Sequence, residues 1–447
     1  MLYFLLYNIF LILTLPFYIA YYCVLSFKNI ENLNLLIQNF SFFYKSSLFL
    51  SKNDRPIWIH ASSVGEVTAL KPLIIKLLQD NCKIIISSMT ITGRSQVTKL
   101  FNKKVLSIYK PYDLKFFVSL CLKKINPSTF IVMETELWPN LIKQVHLKKI
   151  PLYLINARLS DRSLSYYKKI PSFVKTTLNF FDYIFAQSKL DEQKFLSLGA
   201  KKENLSNAGN IKYDICLPDN LNKVSLDIQN TLFAFAFAFA FAKNFDSKDI
   251  NIKKEKSATN IWIAASTHHS EEDSLIKINQ NIRKSQPNTL LILAPRHPER
   301  FSAVIKLCEK KNINYVTRSS KKTCDNNTEV FILDSLGELI YFYKLSKIAF
   351  IGGSLVSIGG HNPLEAIAVN TPTVWGPYMF NFLEIKNLLL KNNLGQEALN
   401  EKNLESIIEN GLKDNNKKDF TTFLKSHSGT TQTIHNKIKN KTPTKDF

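Results

Sequence analysis

The chain has 447 residues, enough for two or three ordinary domains, so a single small core is excluded. Its 58 Lys and Arg against 36 Asp and Glu give a formal charge of +22, which favours anionic partners. The charge is scattered with no nucleic-acid reading motif beside it, so nucleic acid is not expected among them. Six cysteines (Cys23, Cys82, Cys121, Cys216, Cys308, Cys324) show no CxxC pair and no histidine at ligand spacing, which argues for reduced thiols in the cytosol.

Residues 1–27, "MLYFLLYNIFLILTLPFYIAYYCVLSF", carry no charged side chain before Lys28. A helix of that length crosses a hydrocarbon core of about 30 Å, and no charged start or small-residue cleavage site marks it as a signal peptide. Lys28, Lys45, Lys52 and Arg55 follow, which places the rest of the chain on the cytoplasmic side of a single-pass anchor.

From Ile57, β-rich runs alternate with amphipathic helical patterns. The strands expected are "IWIHASS", "KIIISSM", "TFIVME", "PLYLINA" and "DYIFAQS", in a first doubly wound unit that ends near "NAGNIKYD". A second series runs through "NIWIAAST", "TLLILAP", "EVFILD", "KIAFIGG" and "TPTVWG". Two Rossmann-like domains facing a cleft are predicted, with 28–215 as the first, 216–258 as a linker and 259–447 as the second. The Phe/Ala alternation from Phe233 to Ala242 reads as a repeat expansion in that linker, with no catalytic part. The basic tail after Lys417 reads as a final crossing helix with a frayed end.

The candidate chemistry lies where strands end. In "HASSVGEV", Gly65 and Glu66 sit at the carboxyl edge of a sheet, where Glu66 suits a base or an ordinary helix start. "VMETELWPN" places Glu134 and Glu136 after Met133, one suited to be a base or orienting group and the other a helix cap. "MTITGRSQV" (Thr90, Thr92, Gly93, Arg94) and "NARLSDRS" (Asn156, Arg158, Ser160, Arg162) offer donors for an anion. In the second half, Ser266, Thr267, His268, Arg296 and His297 are read as hydrogen-bonding groups for substrate or phosphate, since two adjacent histidines make no metal site. "DSLGEL" adds Gly337 and Glu338 at a helix start. In "FIGGSLVSIGGHNPLEA", Gly352, Gly353, Gly359 and Gly360 are expected to present free amides to a phosphate. Asn362 should cap the helix that Pro363 begins, and Glu365 should meet ribose hydroxyls. Without GxGxxG or GxxxxGKS, dinucleotide and P-loop readings are disfavoured.

Taken in order behind an N-terminal anchor, "IHASSVGEV", "METELWPN", "NARLSDRS", "GNIKYD", "APRHPERF" and "FIGGSLVSIGGHNPLEA" resemble the Kdo (3-deoxy-D-manno-octulosonic acid) transferases of lipopolysaccharide assembly. The resemblance implies a GT-B glycosyltransferase that moves Kdo from CMP-Kdo to a lipid A precursor at the cytoplasmic face of the inner membrane. It implies that the first domain binds the acceptor and the second the CMP-sugar. Glu66 would then accept the acceptor's proton, and Glu134 and Lys212 would stabilise the transition state. Pro295, Arg296, Leu336, Gly337, Glu338, Asn362, Pro363, Leu364 and Glu365 would bind CMP. With no Asp-x-Asp motif at a strand end, transfer without a cofactor or metal is expected. The alternatives are a non-catalytic binder of anionic lipid or nucleic acid on a degenerate GT-B fold, or a GT-B enzyme with another nucleotide sugar. Intact Glu66 and Glu365 argue against the binder.

Overall fold

The structure is a computed structural model that describes residues 2–41, 54–232, 260–414 and 419–441. The Phe/Ala repeat and the last residues of the tail lie outside the described residues.

One compact unit takes in the chain to Cys216 together with the residues from Lys425 onward, and the other runs Leu217–Leu424. The first is built on seven parallel strands: β1 (Ile57–His60), β2 (Ile84–Ser88), β3 (Leu106–Tyr109), β4 (Thr129–Met133), β5 (Leu152–Ala157), β6 (Tyr183–Ala186) and β7 (Leu205–Asn207), in the order β3-β2-β1-β4-β5-β6-β7. Alternate residues of the central strands feed opposite layers. Trp58, Ile85, Phe130 and Leu154 pack in one buried cluster, while Ile57, Ile86, Ile131 and Tyr153 pack in the other. Both faces are therefore apolar, as a parallel sheet covered by helices on each side requires.

The second unit repeats the plan with β8 (Asn260–Thr267), β9 (Thr289–Pro295), β10 (Tyr315–Thr317), β11 (Val330–Ile332), β12 (Ile348–Ile351), β13 (Thr373–Trp375) and β14 (Gly395–Glu397), in the order β10-β11-β9-β8-β12-β13-β14. In each sheet the chain fills one side of a central strand, β1 or β8, and then crosses to its other side; in the second sheet it reaches the edge at β10 before β11 fills the place beside β9. The switch points lie between β1 and β4 and between β8 and β12.

Two boundaries differ from the expected ones. The stretch taken as the start of a linker forms the helix Leu221–Leu232, whose Leu221, Ser225, Ile228 and Leu232 recur at helical spacing and are buried in the second unit. Its Leu232 carbonyl accepts from the Cys324 amide at 2.8 Å. At the other end, the helix Thr430–Lys441 belongs to the first unit rather than to a 259–447 domain. Ile434 and Ile438, one turn apart, complete that unit's core, and His435 meets Asp80 at 2.5 Å. Asp214 accepts from the amides of Gly429 (2.6 Å) and Thr431 (2.5 Å), which fixes the entry to this helix.

Leu2–Ser26 is one helix, long and apolar enough to cross a membrane.

Candidate functional site

Both switch points collect the polar residues singled out in the sequence, at the carboxyl ends of the strands where open parallel sheets bind ligands. Each unit carries its own set.

In the first unit, Ser63 caps the helix Val64–Ala69 and accepts from the Glu66 amide at 3.3 Å. Glu66 answers by accepting from the Ser63 hydroxyl and the Ser62 amide, both at 2.9 Å, much as in a capping box. An ordinary capping carboxylate is exposed and acidic, whereas Glu66 is buried. Burial first, then the charges of Glu134 and Glu136, push its pKa from 4.5 to about 7 against the pull of the two serine donors. A carboxylate poised near neutrality can accept a proton at working pH.

Glu134 follows β4 across the switch point. Its backbone is left-handed, with φ 57°, and its amide bonds the Ile155 carbonyl at 3.0 Å. That turn lifts the side chain out of the strand's line, where it meets Lys212 at 3.1 Å and Arg158 at 3.9 Å. Lys212 is carried by a single helical turn, Ile211–Tyr213, whose Ile211 amide donates to buried Asn156 at 3.0 Å. "SVGE", "METE", "NARL" and "GNIK" thus converge through direct contacts or mutual charge. Glu136 instead accepts from the Trp138 indole at 2.8 Å.

Other expected anion donors are committed elsewhere. Thr90 caps the helix Ile91–Phe101 and accepts from Gly93 at 3.1 Å. Arg94 pairs with Glu31 at 2.7 Å and lies over the Tyr109 ring. Ser160 caps the helix Asp161–Tyr167.

Sequence reasoning passed over His60 and Lys110. The His60 Nδ1–H donates to the Ser87 carbonyl at 3.0 Å, so Nε2 faces Ser62 Oγ at 3.5 Å. Burial and then the Lys110 charge hold its pKa at about 3, so the ring is neutral. Lys110 is itself buried, 3.6 Å over the Trp138 ring, and burial lowers its pKa to about 8. No local pattern marks either one, since each reads as an ordinary strand-end residue.

In the second unit, Pro295 closes β9 and Arg296 donates its amide to the Thr267 carbonyl at 3.0 Å. Leu336 is exposed, Gly337 takes φ 92°, and Glu338 precedes the helix Leu339–Leu345. Glu338 is gripped by Arg318, which reaches it through Nε (3.1 and 3.3 Å) and Nη2 (2.8 Å), and by the Ser335 hydroxyl. The Arg318 hydrogen bonds hold its pKa below the usual carboxylate range. Arg318 was missed because it follows β10, a strand the sequence did not show.

After β12, Asn362 Oδ1 accepts from the Leu364 amide at 3.1 Å, and the helix Leu364–Ala368 starts one residue later than expected, with Pro363 in the flanking position. Leu364 is buried, and Glu365 lies close enough to Tyr343 for its charge to raise that phenol's pKa, after burial. His361 faces His268, Nε2 to Nε2 at 2.8 Å, with the rings parallel. Burial, then the Arg296 charge, lowers the His361 pKa to about 3, so Arg296 belongs to the same cluster.

The glycine loop departs from expectation. The amides of Gly352, Gly353 and Gly360 are not left open. Gly352 donates to the Ala265 carbonyl and Gly360 to the Gly353 carbonyl, both at 2.8 Å. Buried Glu271 accepts from His268 (2.9 Å), Gly353 (2.8 Å), Ser354 (3.0 Å) and Leu355 (3.0 Å). A carboxylate of the protein fills the nest that the sequence assigned to phosphate. Gly352 is required here for a second reason, because a Cβ would collide with the Ser266 carbonyl.

Among the described residues, no group of three or more His, Cys, Asp or Glu is placed to hold a metal ion.

Two parallel-sheet Rossmann-like units with polar groups at both switch points define the GT-B fold. The family model "3-Deoxy-D-manno-octulosonic-acid transferase (kdotransferase)" matches residues 37–215. The 3-deoxy-D-manno-octulosonic acid transferase of Haemophilus influenzae is 38% identical over 387 residues, covering 86% of this chain and 84% of that protein. Its counterpart in Rickettsia prowazekii is 30% identical over 86% of this chain and 78% of its own length. The UDP-GlcNAc 2-epimerase of Neisseria meningitidis, bound to UDP-GlcNAc, superposes with a TM-score of 0.51 at 16% identity, over 86% of this chain and all of that one, and shares the fold. The chain belongs to the Kdo transferase family and is a glycosyltransferase of lipopolysaccharide synthesis.

Proposed function

We propose that the protein transfers Kdo from CMP-Kdo to a hydroxyl of a lipid A precursor of the lipid IVA type, with inversion, at the cytoplasmic face of the inner membrane. The observation that carries this reading is Glu66, a buried carboxylate with a pKa near 7 beside the Glu134–Lys212 pair. Glu66 takes the acceptor's O–H proton as that oxygen bonds to the anomeric carbon of Kdo. The bond from that carbon to the CMP phosphate oxygen breaks, and CMP leaves with the electron pair. Lys212 uses one ammonium hydrogen on Glu134 and has two more for charge developing in the transition state.

CMP is held by Pro295 and Arg296, by Leu336, Gly337 and Glu338, and by Asn362, Pro363, Leu364 and Glu365. Because Glu271 takes the loop amides, the phosphate is assigned to the Arg296 guanidinium rather than to the glycine nest. No metal has a part in this scheme, and EDTA should leave the rate unchanged. Leu2–Ser26 serves as the membrane anchor.

Mass spectrometry of lipid after incubation with CMP-Kdo and a lipid A precursor tests the reaction. A Kdo-sized gain that disappears in Glu66→Ala is expected, and full turnover by that variant would overturn the assignment of the base. Competition by CMP but not UMP separates this reading from a different nucleotide-sugar donor.

A further inference from the structure

The N-terminal helix has its polarity inverted relative to a helix of a water-soluble protein. Its polar side chains face the first unit: Tyr7 donates to Asp113 (2.9 Å), Asn8 and Asn140 exchange two hydrogen bonds (2.9 and 3.2 Å), and Tyr18 donates to Asn39 (2.7 Å). The Tyr112 hydroxyl reaches the Leu11 carbonyl at 2.9 Å, and Phe4 packs edge-on against Phe173. The opposite face exposes Leu5, Ile9, Phe10, Leu13, Phe17 and Val24.

These contacts run from Phe4 to Tyr18, about 21 Å of helix axis at 1.5 Å per residue, or some two thirds of a hydrocarbon core. If the helix crossed the bilayer, the partners along that length would have to enter it too. They include Asp113 and irregular backbone at residues 111–114, which hydrocarbon does not accept. The surroundings fit a surface position instead. No acidic side chain precedes Glu31, Lys28 lies two residues past the end of the helix, and the Lys143 ammonium lies 4.5 Å from the Phe4 ring centroid.

We infer that Leu2–Ser26 lies in the plane of one leaflet of an anionic phospholipid bilayer, with its polar face docked on the first unit and its apolar face in the acyl chains. Both ends of the helix then lie on the same side of the membrane as the catalytic units. This replaces the single-pass crossing expected from the sequence. It rests on the proposed function only for there being a membrane, since the sidedness does not depend on what is transferred.

The test uses the full-length protein in cell membranes, with a protease-cleavable peptide tag joined ahead of Met1. In sealed inverted inner-membrane vesicles the added protease should remove the tag, and in right-side-out spheroplasts the tag should survive. The reverse pattern would overturn the proposal. Independently, Asn8→Cys with Asn140→Cys, in a Cys23→Ser, Cys216→Ser background, should form a disulfide in the membrane on mild oxidation. A spanning helix would hold these positions apart, so absence of the cross-link in protein that still binds CMP would also overturn it. Kdo transfer is assayed separately, so failure of the topology and failure of the reaction give different results.

Discussion

Replacing Glu66 by Gln separates a catalytic base from a helix cap, because the two roles predict opposite effects on stability. The neutral amide can still accept from the Ser62 amide, and the Ser63 hydroxyl can turn to accept from the new NH2, so the capping contacts survive. What disappears is a buried ionisable group. Between its ordinary 4.5 and its folded value of about 7, the folded chain keeps a proton on Glu66 that the unfolded chain has released. Stability therefore falls as pH rises through that window and is lowest above it. At 1.36 kcal/mol per pH unit, a window of about 2.5 units amounts to about 3 kcal/mol. Glu66→Gln should melt together with the parent at pH 4.5 and higher than it at pH 8. For a unit of this size the difference is about 6 °C or more. Transfer should fall by roughly 10² to 10⁴. In the parent, kcat/KM should rise with pH through about 7, since the base acts only when ionised; at pH 6 about a tenth of it is. The assays are melting curves and CMP release, each run from pH 4.5 to 8.5. A variant that melts lower than the parent at pH 8 with near-normal turnover would refute the reasoning and leave Glu66 a cap.

Glu134→Gln removes the charge that, after burial, most raises the Glu66 pKa. The midpoint of the pH–rate profile should move to lower pH, which the same CMP-release series reads. Glu271→Ala strands four amide donors, those of Gly353 and Ser354 buried and those of His268 and Leu355 half-buried, and melting should show a loss of about 3 kcal/mol or more. Calorimetric titration should show weaker CMP binding, with the Glu66 midpoint unmoved. Arg318→Ala releases Glu338 from its three-contact grip and should weaken CMP binding by about tenfold, more than Arg318→Lys, which keeps a charge but loses the fork.

The strands legible in the sequence were those in the middle of each sheet. "IWIH", "TLLILAP" and their neighbours are buried on both faces and read as continuous apolar runs. The strands not anticipated, β3, β7, β10 and β14, are the two edges of each sheet. They are short and largely half-buried, so "YVT" and "GQE" carry no apolar signal. The same limit hid Arg318, whose position at a strand end becomes visible only once β10 is known. The docked face of the N-terminal helix was hidden differently. Asn8 and Thr14 are too few to break a hydropathy run, although their three- and four-residue spacing with Tyr7, Leu11 and Tyr18 marks a face with something to bond.

The two carboxylates at the switch points show why residue type and position do not by themselves give role. β1 and β8 hold the same place in their sheets, each beside the strand to which the chain returns, and each is followed by a buried glutamate, Glu66 or Glu271. An ionised carboxylate has about four acceptor positions. Glu271 uses four, on four backbone amides, so no lone pair is left for a substrate, and its work is to hold the glycine loop in shape. Glu66 uses two, on Ser62 and Ser63, and two remain while burial, then the charges of Glu134 and Glu136, raises its affinity for a proton. The proposed base and the structural plug thus differ in the number of donors that the next loop brings. That number is set by contacts up to 84 residues away, between Glu271 and Leu355, which no local motif records.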